Sequence, residues 1–113
     1  MQMLTFVLNK VDLLEDVLSE LNNAGIKGAT VIDSTGMAKM LSESDHGDIP
    51  IFGSLKMILN ENRPFNKTIF TVLKDEDLPV AVDAIKKVVG DLSKPNIGVI
   101  FAVPVSFTEG ILK

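Results

Sequence analysis

The chain has 113 residues, of which 46% are hydrophobic, and its formal net charge is −4 at pH 7. This length and apolar content are typical of one folded domain over residues 1–113 and exclude a disordered chain. Scattered Lys and Arg argue against nucleic-acid binding, the lack of Cys excludes disulfides, and no run is apolar enough to span a membrane, so we expect a soluble cytoplasmic protein.

The first part of the chain predicts a strand, an amphipathic helix and a second strand. Residues 3–8 form a short apolar run that suits a strand. Asp12, with Glu15 three residues later, has the spacing of a capping box, so we expect a helix to begin there. Apolar residues then recur at helical spacing, and Gly25 suits the left-handed position after a helix end. The second strand is predicted over residues 29–32.

The same order of elements returns in the last part of the chain. Residues 68–73 are β-branched and apolar, which indicates a strand. Asp75 or Asp77 is the predicted cap of a second helix, whose apolar stripe continues to Leu92. Residues 97–105 predict the last strand. The chain therefore contains two strand–helix–strand units.

A doubled unit with short connections predicts an α+β fold of the ferredoxin-like, split βαβ type (βαββαβ), with both helices on one face of an antiparallel sheet. The last strand carries apolar residues on both of its faces. A subunit of this kind would leave apolar sheet surface exposed, which soluble monomers avoid. We therefore expect an oligomer. The alternative is that residues 49–59 fold back over the open face.

A long segment, residues 34–66, is inserted between the two units. Its first part is polar and contains His46 between Asp45 and Asp48. A lone His in an acidic loop is usually solvated, so no metal site is predicted, although a divalent ion would suit these residue types. The second part has apolar residues at helical spacing, which either pack on the protein's own oligomer or dock to a partner protein. The candidate docking residues are Phe52, Leu55, Ile58 and Leu59.

Two stretches resemble the PII signal-transduction family (nitrogen regulatory protein PII-like). Residues 24–31 read Ala-Gly-Ile-Lys-Gly-Ala-Thr-Val, similar to the start of the family's second strand, and residues 98–105 contain Ile-Phe-Ala-Val-Pro-Val, similar to its last strand. The resemblance implies a homotrimer of ferredoxin-like subunits. It also implies adenine nucleotide or metabolite binding in clefts between subunits, and signalling to a transporter or enzyme through the long segment.

The family's nucleotide-contacting motifs are altered in this chain. Its Gly-x-Gly-x-Gln segment is represented by residues 36–40, where the second Gly and the Gln are absent, and only Gly98 remains of its Gly-Asp-Gly-Lys segment. Adenine nucleotide binding is thus possible, but its usual motif is degraded. By position in the family pattern, the candidate ligand-binding residues are Gly36, Met37, Ala38, Lys39 and Gly98.

These features favour a non-enzymatic regulatory or sensor protein. One His and no Cys leave no recognisable pairing of a nucleophile with a base, so an enzyme is not predicted. Two alternatives remain open. One is a metal-binding trimer of similar fold, as in the divalent-cation tolerance family, and the other is a purely structural oligomerisation domain.

Overall fold

The computed structural model describes residues 1–42 and 66–111. Within these ranges four strands and three α-helices follow one another, and a short 3₁₀ turn precedes the first and the last helix. The elements in chain order are β1 (Gln2–Leu8), α1 (Leu14–Asn23), β2 (Thr30–Ser34), α2 (Met37–Ser42), β3 (Asn66–Leu73), α3 (Leu78–Val89) and β4 (Gly98–Pro104).

The strands form one antiparallel sheet in the order β2-β3-β1-β4. β3 lies between β1 and β2, and β1 lies between β3 and β4, so each strand–helix–strand unit is split by a strand of the other. α1 packs against α3. The predicted ferredoxin-like α+β fold is confirmed.

The core lies between the two long helices and one face of the sheet. Leu4, Phe6 and Leu8 alternate along β1 toward this face and are fully buried. They meet Val17 of α1 and Ile85 of α3 in one hydrophobic cluster. Full burial of such a side chain contributes about 1.5–3 kcal/mol each, so this face accounts for much of the stability of the subunit.

The sequence predicted the end of α1 correctly but not its beginning. At the end of α1, Gly25 has φ +95°, its N–H donates to the Asn22 carbonyl, and the Ile26 N–H donates to the Leu21 carbonyl. This pair of bonds is a Schellman motif, as Gly25 predicted. The capping box at Asp12 was wrong, because Asp12 lies inside a 3₁₀ turn and α1 begins at Leu14.

The second predicted cap is correct in position only. Asp77 occupies the N-cap of α3, but within the described residues no side chain bonds the first turn of that helix. The reason is the backbone of Asp77, which has φ −86° and ψ −12° and is already near helical values, whereas a capping residue is usually extended. Leu92 lies beyond the helix, since Gly90, at φ +79°, ends it after Val89.

The opposite face of the sheet, called the open face below, carries the side chains of β4 that the core does not use. Val99, Phe101 and Val103 alternate along this edge strand and are 57%, 48% and 40% exposed. The apolar character of both faces of the last strand therefore arises as the sequence indicated. The alternative in which residues 49–59 cover this face lies outside the described residues.

Candidate functional site

The segment that follows β2 contains four of the five candidate ligand-binding residues. Gly36 precedes α2, and its carbonyl accepts a hydrogen bond from the Met40 N–H at 3.0 Å. Met37 is the first residue of α2 and is largely exposed. Ala38 and Lys39 belong to the same helix, so these four positions lie in one short stretch at one end of the sheet.

Gly98, the fifth candidate, has a packing role of its own. It is the first residue of β4 and pairs with Leu8 of β1. A Cβ added there would lie 2.5 Å from the Val7 carbonyl oxygen and 2.7 Å from Cε1 of Phe6. The position therefore accepts only glycine without a shift of the backbone, whether or not a ligand binds beside it.

Strand order keeps Gly98 away from the other four candidates. Gly36 follows β2 and Gly98 opens β4, and these strands form opposite edges of the sheet. Both residues lie at the same end of the sheet, because β2 ends where β4 begins. Three strand spacings of about 4.8 Å separate the two edges, roughly 14 Å in total. One subunit alone does not bring the five predicted residues into one pocket.

A row of polar side chains joins three strands at this same end. Ser34 donates its hydroxyl hydrogen to Asn66 Oδ1 and lies 2.7 Å from Thr68 Oγ1, while Asn66 Nδ2 donates to Asn9 Oδ1 at 3.4 Å. Nδ2 of Asn66 also lies 3.8 Å from the place a Cβ of Gly36 would take. Sequence analysis missed this row. Its only signal was a pair of polar residues, Ser34 and Asn66, on either side of the inserted segment.

A cleft of about 830 Å³ opens at the other end of the sheet. It follows the end of β3, where residues 71–73 extend beyond the last residue of β3 that pairs with β2. Its outer wall is the chain over residues 25–30, and the Thr71 hydroxyl donates to the Gly28 carbonyl at 2.6 Å. Sequence analysis did not predict this cleft, since it depends on the difference in length between β2 and β3.

The charged groups around the cleft are mostly cationic. Lys27 and Lys74 line it together with Asp77. Met1 also lines it, and the α-amino group of Met1 lies 3.0 Å from Oδ1 of Asp75. Hydrogen bonding and charge attraction from this amino group hold the pKa of Asp75 below its ordinary value. The surroundings therefore favour an anionic or polar ligand over a cationic one.

The remaining site predictions concern residues outside the described ranges. These are the docking candidates Phe52, Leu55, Ile58 and Leu59, and His46 with its acidic neighbours. In residues 1–42 and 66–111, no group of His, Asp and Glu side chains is arranged to hold a metal ion. The helices in the same ranges are too short or too polar to cross a membrane.

The antiparallel β2-β3-β1-β4 sheet, with two long helices on one face and an insertion after β2, defines a ferredoxin-like α+β protein. Residues 1–112 match the model of the family described as Nitrogen regulatory protein P-II. The chain belongs to this family of regulatory proteins, as the resemblance of its two strand motifs indicated. No curated protein sequence matches the chain significantly.

Proposed function

We propose that this protein is a non-enzymatic, cytoplasmic sensor that works as a homotrimer. Copies of the chain form crevices at their contacts, a small molecule binds there, and the 34–66 segment reports the bound state to a partner such as a transporter or an enzyme. The observation that carries this proposal is the separation of Gly36 and Gly98 on opposite edges of the sheet. A pocket that uses both residues needs one from each of two copies.

The open face gives a reason for copies to associate. The side chains of Val99, Phe101 and Val103 lie along one edge strand and stay partly in contact with water. Burying them contributes about 25 cal/mol for each Å² of apolar surface removed from water. Face-to-face packing of sheets would bury the three side chains together and would bring edge strands of different copies close to one another.

The charges at the two candidate binding sites, the stretch around α2 and the cleft, indicate the chemistry of the ligand. Lys39 is the one charged residue among the five predicted ligand-binding residues, and Lys27 and Lys74 line the cleft at the other end of the sheet. A single lysine binds phosphate or carboxylate as a point charge and without the bidentate geometry of arginine. We propose a small anion or an adenine nucleotide held mainly by main-chain groups.

The assembly is tested by analytical ultracentrifugation of the wild-type protein and Phe101→Asp at micromolar concentration. We expect a trimer for the wild type and a folded monomer for the variant, because a carboxylate on the open face is costly to bury. A Lys86→Asp variant, at an exposed position of α3, is the control and stays trimeric. A monomeric wild-type chain would refute the proposal.

Ligand binding is tested by thermal shift with ATP, ADP, AMP, phosphate and bicarbonate. Binding to the native state raises the melting temperature in proportion to the logarithm of ligand concentration. Lys39→Ala reduces the shift if the ligand binds beside α2, and Lys74→Ala reduces it if the ligand binds in the cleft. No shift with any of these compounds would contradict the sensor function.

The role of the inserted segment is tested by deleting residues 49–60. A segment that docks to a partner can be removed with the trimer intact, as ultracentrifugation would show. Loss of the trimer on deletion would instead mean that these residues pack within the assembly.

A further inference from the structure

The polar row at the end of the sheet has a fixed direction. A hydroxyl has one hydrogen to donate. Ser34 donates its hydrogen to Asn66 Oδ1, so in the 2.7 Å contact between the hydroxyls Thr68 is the donor and Ser34 Oγ the acceptor. Asn66 then continues the chain through Nδ2 to Asn9 Oδ1. The order is Thr68 to Ser34 to Asn66 to Asn9.

The chain of bonds is placed where the inserted segment leaves and re-enters the sheet. Ser34 is the last residue of β2 and Asn66 is the first of β3, and these two residues are paired in the register. Asn9 follows directly after β1, and its N–H donates to the Ile97 carbonyl just before β4. Ser34 and Asn66, called the two roots of the segment below, are therefore bonded to each other. Asn66 is also bonded to Asn9, directly after the central strand β1.

Burial gives these bonds their energetic weight. Asn66 is only 4% exposed and Thr68 is also buried, whereas Ser34 is half-buried and Asn9 is exposed. A buried polar group that loses its partner bears the full cost of desolvation, whereas a satisfied one contributes modestly to stability. Directed chains of this kind also strengthen one another, because each donor is polarised by the bond that it accepts.

We propose that Thr68, Ser34, Asn66 and Asn9 form a latch that holds the two roots of residues 35–65 together and fixes them to β1. With the latch closed, the end of the β2–β3 pair opens only rarely. With one bond removed, that end opens locally while the rest of the sheet stays folded. The latch does not depend on the proposed function. Its consequence for partner docking, namely that it fixes the two strand ends between which the docking segment is inserted, does rest on that function.

The latch is tested by hydrogen exchange of backbone amides in the full-length protein without ligand or partner. We expect Ser34→Ala and Thr68→Val to speed exchange at residues 32–34 and 66–68 about tenfold, because loss of a buried hydrogen bond lowers the free energy of local opening. Exchange at residues 4–8 of the central strand should stay within about twofold, since the core opens only on global unfolding.

Conservative replacements separate the bond from the shape of the side chain. Thr68→Ser keeps the hydroxyl and should restore slow exchange. Asn9→Asp keeps the acceptor oxygen and should do the same, whereas Asn9→Leu should not. Thr71→Val is the matched control, because it removes another hydroxyl of β3, bonded to the Gly28 carbonyl, from the other end of the strand. It should leave exchange at residues 32–34 and 66–68 unchanged.

Two results would overturn the latch. One is unchanged exchange at residues 32–34 and 66–68 in both Ser34→Ala and Thr68→Val. The other is an equal increase throughout the sheet, including residues 4–8, which would mean a loss of global stability without local opening. Failure of the ligand and assembly experiments would leave this test unaffected, because it uses no ligand and compares regions within one chain.

Discussion

The two faces of the sheet shield their apolar side chains from water to different extents. On the helix face, Leu4, Phe6 and Leu8 are sealed by α1 and α3 and are shielded from water completely. On the open face, Thr5 lies between Phe70 and Phe101 of the neighbouring strands, and the outer strand keeps three apolar side chains partly exposed. The comparison teaches that one face is completed within the subunit, whereas the described part of the other is not.

The largest expected effect comes from replacing one phenylalanine on each face with alanine and comparing the two losses of stability. Phe6→Ala should lower the free energy of unfolding by about 3–5 kcal/mol, the usual cost of emptying a buried phenylalanine site. Phe101→Ala, on the half-exposed ring, should cost the subunit far less and act mainly on assembly. Urea unfolding and ultracentrifugation at one protein concentration measure the two effects. Equal losses of stability would mean that the faces do not differ in this way.

The second-largest effect on stability tests why the first residue of β4, Gly98, is glycine. Gly98→Ala should destabilise the ligand-free protein by about 1–3 kcal/mol, because its Cβ would collide with the Val7 carbonyl and the ring of Phe6. Gly28→Ala is the control, since no atom lies within 4 Å of its added Cβ, and urea unfolding should show a change within about 0.5 kcal/mol. A neutral Gly98→Ala would leave ligand contact as the reason for this glycine.

A smaller effect of opposite sign is expected at the centre of the open face. Thr5 is only 3% exposed, and its Oγ1 has no hydrogen-bond partner in the part of the chain that the structure describes. Thr5→Val keeps the shape and removes the unpaired oxygen, so thermal or urea unfolding should show a gain of about 1 kcal/mol. Thr71→Val, which removes a bonded hydroxyl, should show a loss. A loss in both variants would mean that the Thr5 hydroxyl has a partner in the assembled protein.

The smallest effect concerns a turn away from both faces. Asp91 accepts hydrogen bonds from the hydroxyl and the N–H of Ser93, and these bonds lower the pKa of its carboxyl group. Because the folded-state pKa lies below the unfolded one, the contribution to stability is present at neutral pH and is lost as pH falls through the folded pKa. Ser93→Ala should raise the pKa of Asp91 in an NMR titration. An unchanged pKa would contradict the assigned cause.

Local patterns in the sequence were sufficient for the architecture. Short apolar and β-branched runs predicted all four strands, helical spacing predicted both long helices, and Gly25 predicted the end of α1. The strand bounds moved by one or two residues, as for β2, which runs over Thr30–Ser34 and not over residues 29–32. α3 ends at Val89, three residues before Leu92. Asp12 misled because the capping-box spacing does not distinguish an α-helix start from a 3₁₀ turn.

The candidate site was less predictable because it depends on which strands are neighbours. Family position selected Gly36 and Gly98, but only the strand order shows that they lie on opposite edges. The bonds among Ser34, Asn66 and Thr68 depend on the β2–β3 register across the inserted segment. The cleft depends on β2 having five residues where β3 has eight. Neither quantity can be read from a single stretch of sequence.

The position of β4 has a consequence for newly made chains. Among the described strands it has a neighbour on one side only, and from Gly98 to Pro104 it carries no charged residue. An uncharged, apolar edge of this kind can template strand addition and lead to aggregation. Pro104 lacks an N–H and so blunts only the end of that edge. If copies associate as proposed, a mutation that slows their association is therefore expected to appear in cells first as insoluble protein.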